Sequence, residues 1–405
     1  MPFIFSYPFN LHDMECLQTD RVNLAIIKSG APIMSDTNTI IIGAGGAGLA
    51  TGVCLKQAGI SNIILEQGEN VGTVWRKHYD RLHLHTDKRN SGLPFMPMPA
   101  NYPRYPSRDQ VVTYLENYAK KFDLDIRFNQ QVASARQENG QWLVQTQDAA
   151  LSAPNLVIAC GYSRQPYKPK WNGIESFPGK IIHSSEYKNG AEFKGKNVLV
   201  VGFGNSGGEI AIDLHEHGAK SNISIRNPVN VIPKEIFGIP FLNFAIPQNA
   251  LPAWLADAIN APIVKLLIGD ITKYGLKKLP YGPVAQTRKD GQIPLIDIGT
   301  MKLIREGHVT VYPGVKEVSE NRIKFEDGRE PEFDVIIYAT GYRPRVDEFL
   351  QNAESAIDRE GTPVQTGTES SLQGLYFCGY YVSPTGMLRE IGMEARRIAK
   401  EISAT

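Results

Sequence analysis

The chain has 405 residues, 42% of them hydrophobic, with 43 basic side chains against 42 acidic ones and a net charge of +1. That length allows two or three domains around a sizeable core, and the even charge, with no charged tail, argues against nucleic acid as the main partner. The four cysteines, Cys16, Cys54, Cys160 and Cys378, form no Cys-x-x-Cys pair, so neither a zinc site nor a redox dithiol is suggested.

Residues 1–35 lack the basic start and small-residue cleavage site of a signal peptide. They read as an extension packed loosely on the surface, with Met34 as a candidate alternative start. Residues 36–165 read as a first nucleotide-binding domain. Thr39 to Ile42 is an apolar run ending at Gly43, and a helical pattern follows through Leu49, Val53 and Leu55. Asn62 to Leu65 is the next strand, closed by Glu66, 18 residues after Gly48. Gly43 permits a tight turn, Gly45 lets backbone approach a pyrophosphate, and Gly48 lets helix pack on strand. Free N–H groups at the helix start suit phosphate, and Glu66 can accept from ribose hydroxyls.

Three histidines follow, His78, His83 and His85. A metal reading is rejected because no third ligand or carboxylate pair has the right spacing, so no metal is expected. On a strand, His83 and His85 would share one face. Residues 93–106 form a proline-rich loop that reads as a rigid surface strap. Val111 to Phe122 reads as an amphipathic helix, and Val132 and Trp142 to Val144 as short strands. The domain closes on Leu156 to Gly161, a buried strand ending in glycine. Trp75, Val132, Gly161, Gly379 and Leu388 join the loop glycines and Glu66 as the expected residues of the first dinucleotide site.

Residues 166–195 form a connector, and 196–338 a second nucleotide-binding domain. Its fingerprint is Gly202, Gly204 and Gly207 after the run Asn197 to Val201, with Asn205 and Ser206 at the helix start. The strand that follows ends in Arg226, 19 residues after Gly207. An arginine at this place favours the 2′-phosphate of NADP over a bare ribose. The apolar region from Ile236 to Ile268 is cut by Pro240, Pro247, Pro252 and Pro262, so no membrane span is expected. Residues 236–298 read as a helical segment inserted in this domain and a plausible pocket wall; part of it, Pro252 to Leu267, looks helical, with amphipathic core as the default account. Asp334 to Tyr342, with Thr340 and Gly341, repeats the buried-strand-and-glycine close of the first domain. Residues 339–405 then return to the first domain through Gly379 and a helix from Met387 to Ile402. The fold class is therefore α/β, two Rossmann-like dinucleotide-binding domains with the second inserted into the first.

The connector reads Phe-x-Gly-x3-His-x3-Tyr-Lys, with Phe177, Gly179, His183 and Tyr187 at its fixed places. It resembles the signature of the class B flavin-dependent monooxygenases. The ending Tyr187-Lys188 is similar to the flavin-containing branch, where a tryptophan would suggest the Baeyer–Villiger branch. The segments Tyr79 to His85, Gly202 to Gly208, Val231 to Pro233, Asp297 to Thr300 and Ala339 to Tyr342 resemble the plant YUCCA-type enzymes of auxin synthesis. Animal-type members carry asparagine where His85 falls.

The resemblance implies FAD and NADPH as cofactors, with NADPH reducing FAD and oxygen adding at flavin C4a to give a (hydro)peroxide. It further implies conversion of an aryl 2-oxo acid such as indole-3-pyruvate to the shortened acid with loss of carbon dioxide. The alternatives are N- or S-oxygenation of small amines or sulfides, and an uncoupled NADPH oxidase. His85 and Asn205 are the expected catalytic positions, and His183 is expected to fix the linker between units. The partners expected are a small-molecule substrate and O2, in a cytoplasmic enzyme, with a homodimer left open. Arg343, Arg345, Arg389 and Lys88 are the candidates to anchor a substrate carboxylate.

Overall fold

Thr39–Ile42 and Asn155–Ile158 are buried along their whole length, so they must be covered on both faces. They are the centre of a five-stranded parallel sheet whose order is Leu375–Phe377, Asn155–Ile158, Thr39–Ile42, Asn62–Leu65, Ile126–Arg127. The computed structural model describes residues 33–34 and 37–404. The expected extension, residues 1–35, therefore lies outside the described residues except for Ile33–Met34. That pair lies parallel to Ala150–Leu151 at the edge of a small sheet completed by Val132–Glu138 and Gln141–Thr146.

A second five-stranded parallel sheet has the order Lys180–His183, Val335–Tyr338, Asn197–Val201, Lys220–Ser224, Val309–Tyr312. Its strands fall between Asn155–Ile158 and Leu375–Phe377 in the chain. The second Rossmann-like unit is thus inserted into the first, and the last strand goes home. The connector is no free tether, since Lys180–His183 is the edge strand of the second sheet.

Each sheet is followed by a helix that a glycine turn launches. Gly46–Gln57 carries small residues on the face that meets the sheet, and its other side packs on the final helix, Met387–Ile402. Leu49, Val53, Ala395 and Ile398 are fully buried in that contact. A Cβ at Gly48 would sit 1.8 Å from the Gly43 carbonyl oxygen, so only glycine allows the helix this close.

Several local expectations are corrected. His83 and His85 do not share the face of a strand. Their segment is irregular, with a single bridge from His83 to Ser107, His83 is exposed, and its Nδ1 lies 2.7 Å from the Arg81 carbonyl. The proline-rich segment is more than a surface strap. Leu93 and Met98 are buried, and the hydroxyls of Tyr114 and Tyr118 bond its backbone, Tyr114 accepting from Leu93 N–H and Tyr118 donating to the Pro94 carbonyl. The helix Ala253–Ile268 buries only Ala256, Asn260 and Ile268, and Trp254 and Leu266 are exposed, so it is not an amphipathic core element. Among the described residues no helix is long and apolar enough to cross a membrane.

Candidate active site

The first glycine loop begins where Thr39–Ile42 runs out. Gly43 turns with φ +106°, a conformation that a side chain would strain. The Gly45 backbone faces open space, and a Cβ there would meet nothing within 4 Å. The helix Gly46–Gln57 has no side-chain cap, so its first N–H groups remain available to a ligand. Beside them Glu66 is buried at 6% exposure. Its Oε2 accepts from Ala44 N–H at 2.8 Å, and its Oε1 accepts from Gly68 N–H at 2.8 Å and the Thr73 hydroxyl at 3.0 Å. These bonds fix the carboxylate at the loop while Oε2 keeps acceptor capacity.

A cavity of about 960 Å³ opens from this loop. Of the residues singled out in the sequence, Gly43, Gly45, Glu66, Trp75, His85 and Val132 line it, together with Gly161, Asn205, Gly379 and Leu388. Leu388 and Met387 bring the start of the final helix, whose Gly386 cap has φ +102°, into the same wall. Asn205 comes from the second fingerprint helix, Asn205–Glu216. Its Oδ1 accepts from Ile296 N–H at 2.9 Å, which leaves the amide nitrogen as the group it can offer.

His85 is held by the other domain. Its Nε2 lies 2.7 Å from Oε1 of Glu209, a buried carboxylate on the second fingerprint helix. With Nε2–H donating, Nδ1 is left as an acceptor, and that buried atom has no partner among the described residues. Burial first, then Lys188 and Arg108, hold the His78 pKa down at about 4, so this cavity residue is neutral near pH 7. Burial, and then the Glu209 carboxylate, push the Tyr79 hydroxyl far above its ordinary value.

The other predicted residues lie off the cavity. Gly48 is spent on helix packing. Gly202 turns with φ +110°, Gly207 packs on its carbonyl as Gly48 does on that of Gly43, and Gly204 is open. Ser206 is partly buried at the start of that helix. Arg226 is exposed; its Nε lies 3.3 Å from Asn227 Oδ1, and it makes no ion pair among the described residues. Thr340 donates its hydroxyl to the Tyr167 carbonyl.

The connector residues pack rather than face the cavity. Phe177 is buried in the core of the second domain, and Gly179 admits the Asp334 backbone closer than any Cβ would allow. His183 is fully buried, its Nδ1 accepting from Ser185 N–H at 3.1 Å and its Nε2 donating to the Gly341 carbonyl at 3.1 Å. Burial lowers its pKa, so the ring is neutral and pins Gly341 at the end of its strand. The Tyr187 hydroxyl donates to Asp213 at 2.5 Å in the second domain, whereas Lys188 donates to the Lys77 carbonyl at 2.7 Å in the first.

None of the cations considered as carboxylate anchors reaches the cavity. Arg343, Arg345 and Arg389 pair with Glu360, Asp347 and Glu390, and Lys88 donates to the Ala100 carbonyl. Phe241 and Leu242, in the segment expected as a plausible pocket wall, line the cavity, and so do Lys234 and Tyr342, which the sequence did not single out as site residues. The only local signal for Lys234 is its place directly after the run Val231 to Pro233.

Two interleaved glycine-fingerprint units with one cavity against both define an enzyme that brings two dinucleotides together. The open backbone at Gly45, the uncapped helix start, Glu66 and the partnerless Nδ1 of His85 fit a flavin dinucleotide in the first unit. The family model described as flavin-binding monooxygenase-like matches residues 37–359. A probable indole-3-pyruvate monooxygenase YUCCA1 of Arabidopsis thaliana is 39% identical over 371 residues, 90% of this chain and 89% of that protein. The indole-3-pyruvate monooxygenase YUCCA1 of Oryza sativa is 38% identical over 370 residues, 90% of each. Among solved structures, a flavin-containing monooxygenase from Stenotrophomonas maltophilia superposes with a TM-score of 0.72 at 22% identity, covering 92% of this chain and 99% of that one. The chain belongs to the flavin-binding monooxygenase-like family.

Proposed function

We propose that this chain uses NADPH and O2 to convert an aryl 2-oxo acid, with indole-3-pyruvate as the leading case, to the acid one carbon shorter. The reaction balances as oxo acid, O2, NADPH and a proton going to the shortened acid, carbon dioxide, NADP and water. The observation that carries this reading is the single cavity that runs from the first glycine loop to Asn205 of the second unit and is walled by Phe241, Leu242, Ala245 and Val284. An apolar wall of this kind suits an aryl ring. The names carried by the relatives at 39% and 38% identity support the same substrate class.

Gly43, Gly45, Glu66 and the start of Gly46–Gln57 would hold the flavin, with Trp75, Val132, Gly161, Gly379 and Leu388 around it. Gly202, Gly204, Ser206 and Gly207 would hold the nicotinamide nucleotide, with Arg226 on its 2′-phosphate and Thr340 and Gly341 at the neighbouring strand end. When bound, the flavin takes a hydride from NADPH and activates oxygen for attack at the ketone carbon. Glu209 fixes the His85 ring, so that Nδ1 is the atom it would offer as an acceptor to a bound group. Neutral His78 adds no charge of its own to the cavity, and the apolar wall keeps bulk water out of it. Asn205 offers its amide N–H groups at the boundary between the two units.

Product analysis tests this. FAD-loaded protein is reduced with NADPH without oxygen, then mixed with O2 and phenylpyruvate or indole-3-pyruvate. The arylacetic acid and carbon dioxide are expected, one of each per NADPH. Inertness toward oxo acids, with oxygen transferred instead to a sulfide or amine, would replace the reading. Release of all the reducing equivalents as hydrogen peroxide would do the same.

A further inference from the structure

An aryl carboxylate needs two things a few ångströms apart, an apolar wall for its ring and a cation for its charge. The cavity has three lysine and arginine residues in its lining, and two are disqualified. Arg164 is committed, donating at 2.7 Å to Glu348 and at 2.7 Å to the Arg345 carbonyl. Lys77 is exposed, so solvent already screens it.

The third, Lys234, differs from both. It is partly buried, and among the described residues its ammonium makes neither an ion pair nor a hydrogen bond. The carboxylates whose fields reach it are engaged elsewhere. Glu235 accepts from Arg104 at 2.9 Å and from the Tyr105 hydroxyl at 2.8 Å, and Glu209 is bonded to His85. What holds the ammonium is the face of Tyr105, 3.8 Å from the ring centroid. A ring face orients a cation without using its three donors. Burial lowers the Lys234 pKa, and Glu209 and Glu235 pull it back up. A charge kept under those conditions gains from an anion brought to it.

The backbone sets this cation beside the apolar wall. Glu235–Ile236 and Ile239–Pro240 pair as a two-rung hairpin, and at its base Phe241 N–H donates to the Lys234 carbonyl at 3.0 Å. Lys234 and Phe241 are therefore tied together although they stand seven positions apart in the chain. The helix Phe241–Gln248 then carries Leu242 and Ala245 onto the same cavity wall.

We propose that Lys234 anchors the carboxylate of the substrate while the aryl ring lies on the wall that Phe241 and Leu242 provide. This assignment rests on the aryl 2-oxo acid reading above. Lys234 is a binding and specificity residue and takes no part in redox chemistry.

The test uses FAD-loaded protein with phenylacetate as the charged probe and phenylacetamide as its neutral counterpart, their binding measured by calorimetry. Lys234→Met should weaken phenylacetate about 10- to 100-fold, the range for loss of a charge-assisted hydrogen bond, and leave phenylacetamide unchanged. Lys234→Arg should restore phenylacetate to within a few-fold of the parent. The KM for phenylpyruvate should rise in Lys234→Met by the same factor as the loss in phenylacetate binding. Equal weakening of acid and amide would overturn the proposal, as would undiminished binding of the acid. A parent protein that binds the acid no better than the amide would overturn it too. If aryl acids bind through Lys234 but phenylpyruvate is not turned over, the anchor stands and the oxo acid reaction is what fails.

Discussion

Gly45 and Gly48 lie three residues apart and face opposite demands. A Cβ at Gly45 meets no protein atom within 4 Å, while one at Gly48 meets the Gly43 oxygen at 1.8 Å. Gly45→Ala should therefore fold with near-parental stability yet lose most of its flavin, read as visible absorbance per mole of protein. Gly48→Ala should be destabilised by about 1–3 kcal/mol or more, read by urea unfolding, because the helix must move off the strand. At Arg226 the guanidinium is exposed and free of carboxylates among the described residues. Arg226→Ala should raise the KM for NADPH at least tenfold, the scale of a lost charge-assisted phosphate contact, and leave that for NADH nearly unchanged. An unaltered preference would remove it from the 2′-phosphate. His78 has its pKa held at about 4, mainly by burial, against about 6.5 for a free imidazole. The unfolded chain thus takes up this proton first. The stability from neutral His78 is complete above pH 6.5 and drains as the pH falls toward 4, by up to about 3 kcal/mol. Urea midpoints between pH 7 and 4.5 should fall more steeply for the parent than for His78→Gln.

At the scale of elements, the connector works as a clamp. His183 pins Gly341, Tyr187 reaches the second fingerprint helix, and Lys188 reaches back to the first unit. A second clamp lies between two helices of the insertion. The Asp257 carboxylate accepts from Val284 N–H at 2.8 Å and Ala285 N–H at 3.0 Å, capping the helix Pro283–Asp290 from outside its own sequence. Asp257→Ala should cost about 1 kcal/mol of stability, the usual value of a lost cap. Because Val284 and Thr287 of that helix line the cavity, the KM for the oxo acid should rise several-fold while kcat changes less. Elements built on local signals were legible in the sequence. The glycine turns, the flanking buried strands and the final helix Met387–Ile402 each depend on residues within one turn or one strand of each other. Elements defined by distant partners were not. His83 and His85 alternate with leucines as a strand would, but no neighbouring strand pairs with them, so the pattern yields no sheet.

For the whole molecule, the chain order already carried the insertion of one unit in the other, because the glycine-terminated strands repeat. The side of the cavity proposed for the flavin was legible for the same reason, as a set of positions that line one cavity. Its residues sit at strand ends, and a parallel sheet gathers those on one edge. The substrate side was legible only as a segment, the apolar insertion 236–298 that could wall a pocket, and not as an anchoring residue. A lysine amid proline and isoleucine looks like any solvated charge until the hairpin, the Tyr105 ring and the helix Phe241–Gln248 close round it. The arginines picked out in its place turn out to be spent on local ion pairs. Everything on both sides of the cavity serves one claim, that oxygen is split between an aryl 2-oxo acid and water at the cost of one NADPH. The most direct measurement is turnover of phenylpyruvate by the FAD-loaded protein under ¹⁸O-labelled oxygen gas. The account predicts one labelled oxygen in each phenylacetate formed, with carbon dioxide and consumed NADPH in equal amounts. Free peroxide released from the same labelled oxygen would carry the same label, so the turnover is repeated with catalase: unchanged phenylacetate is expected, and its loss would mean that free peroxide does the chemistry in solution and would contradict the claim.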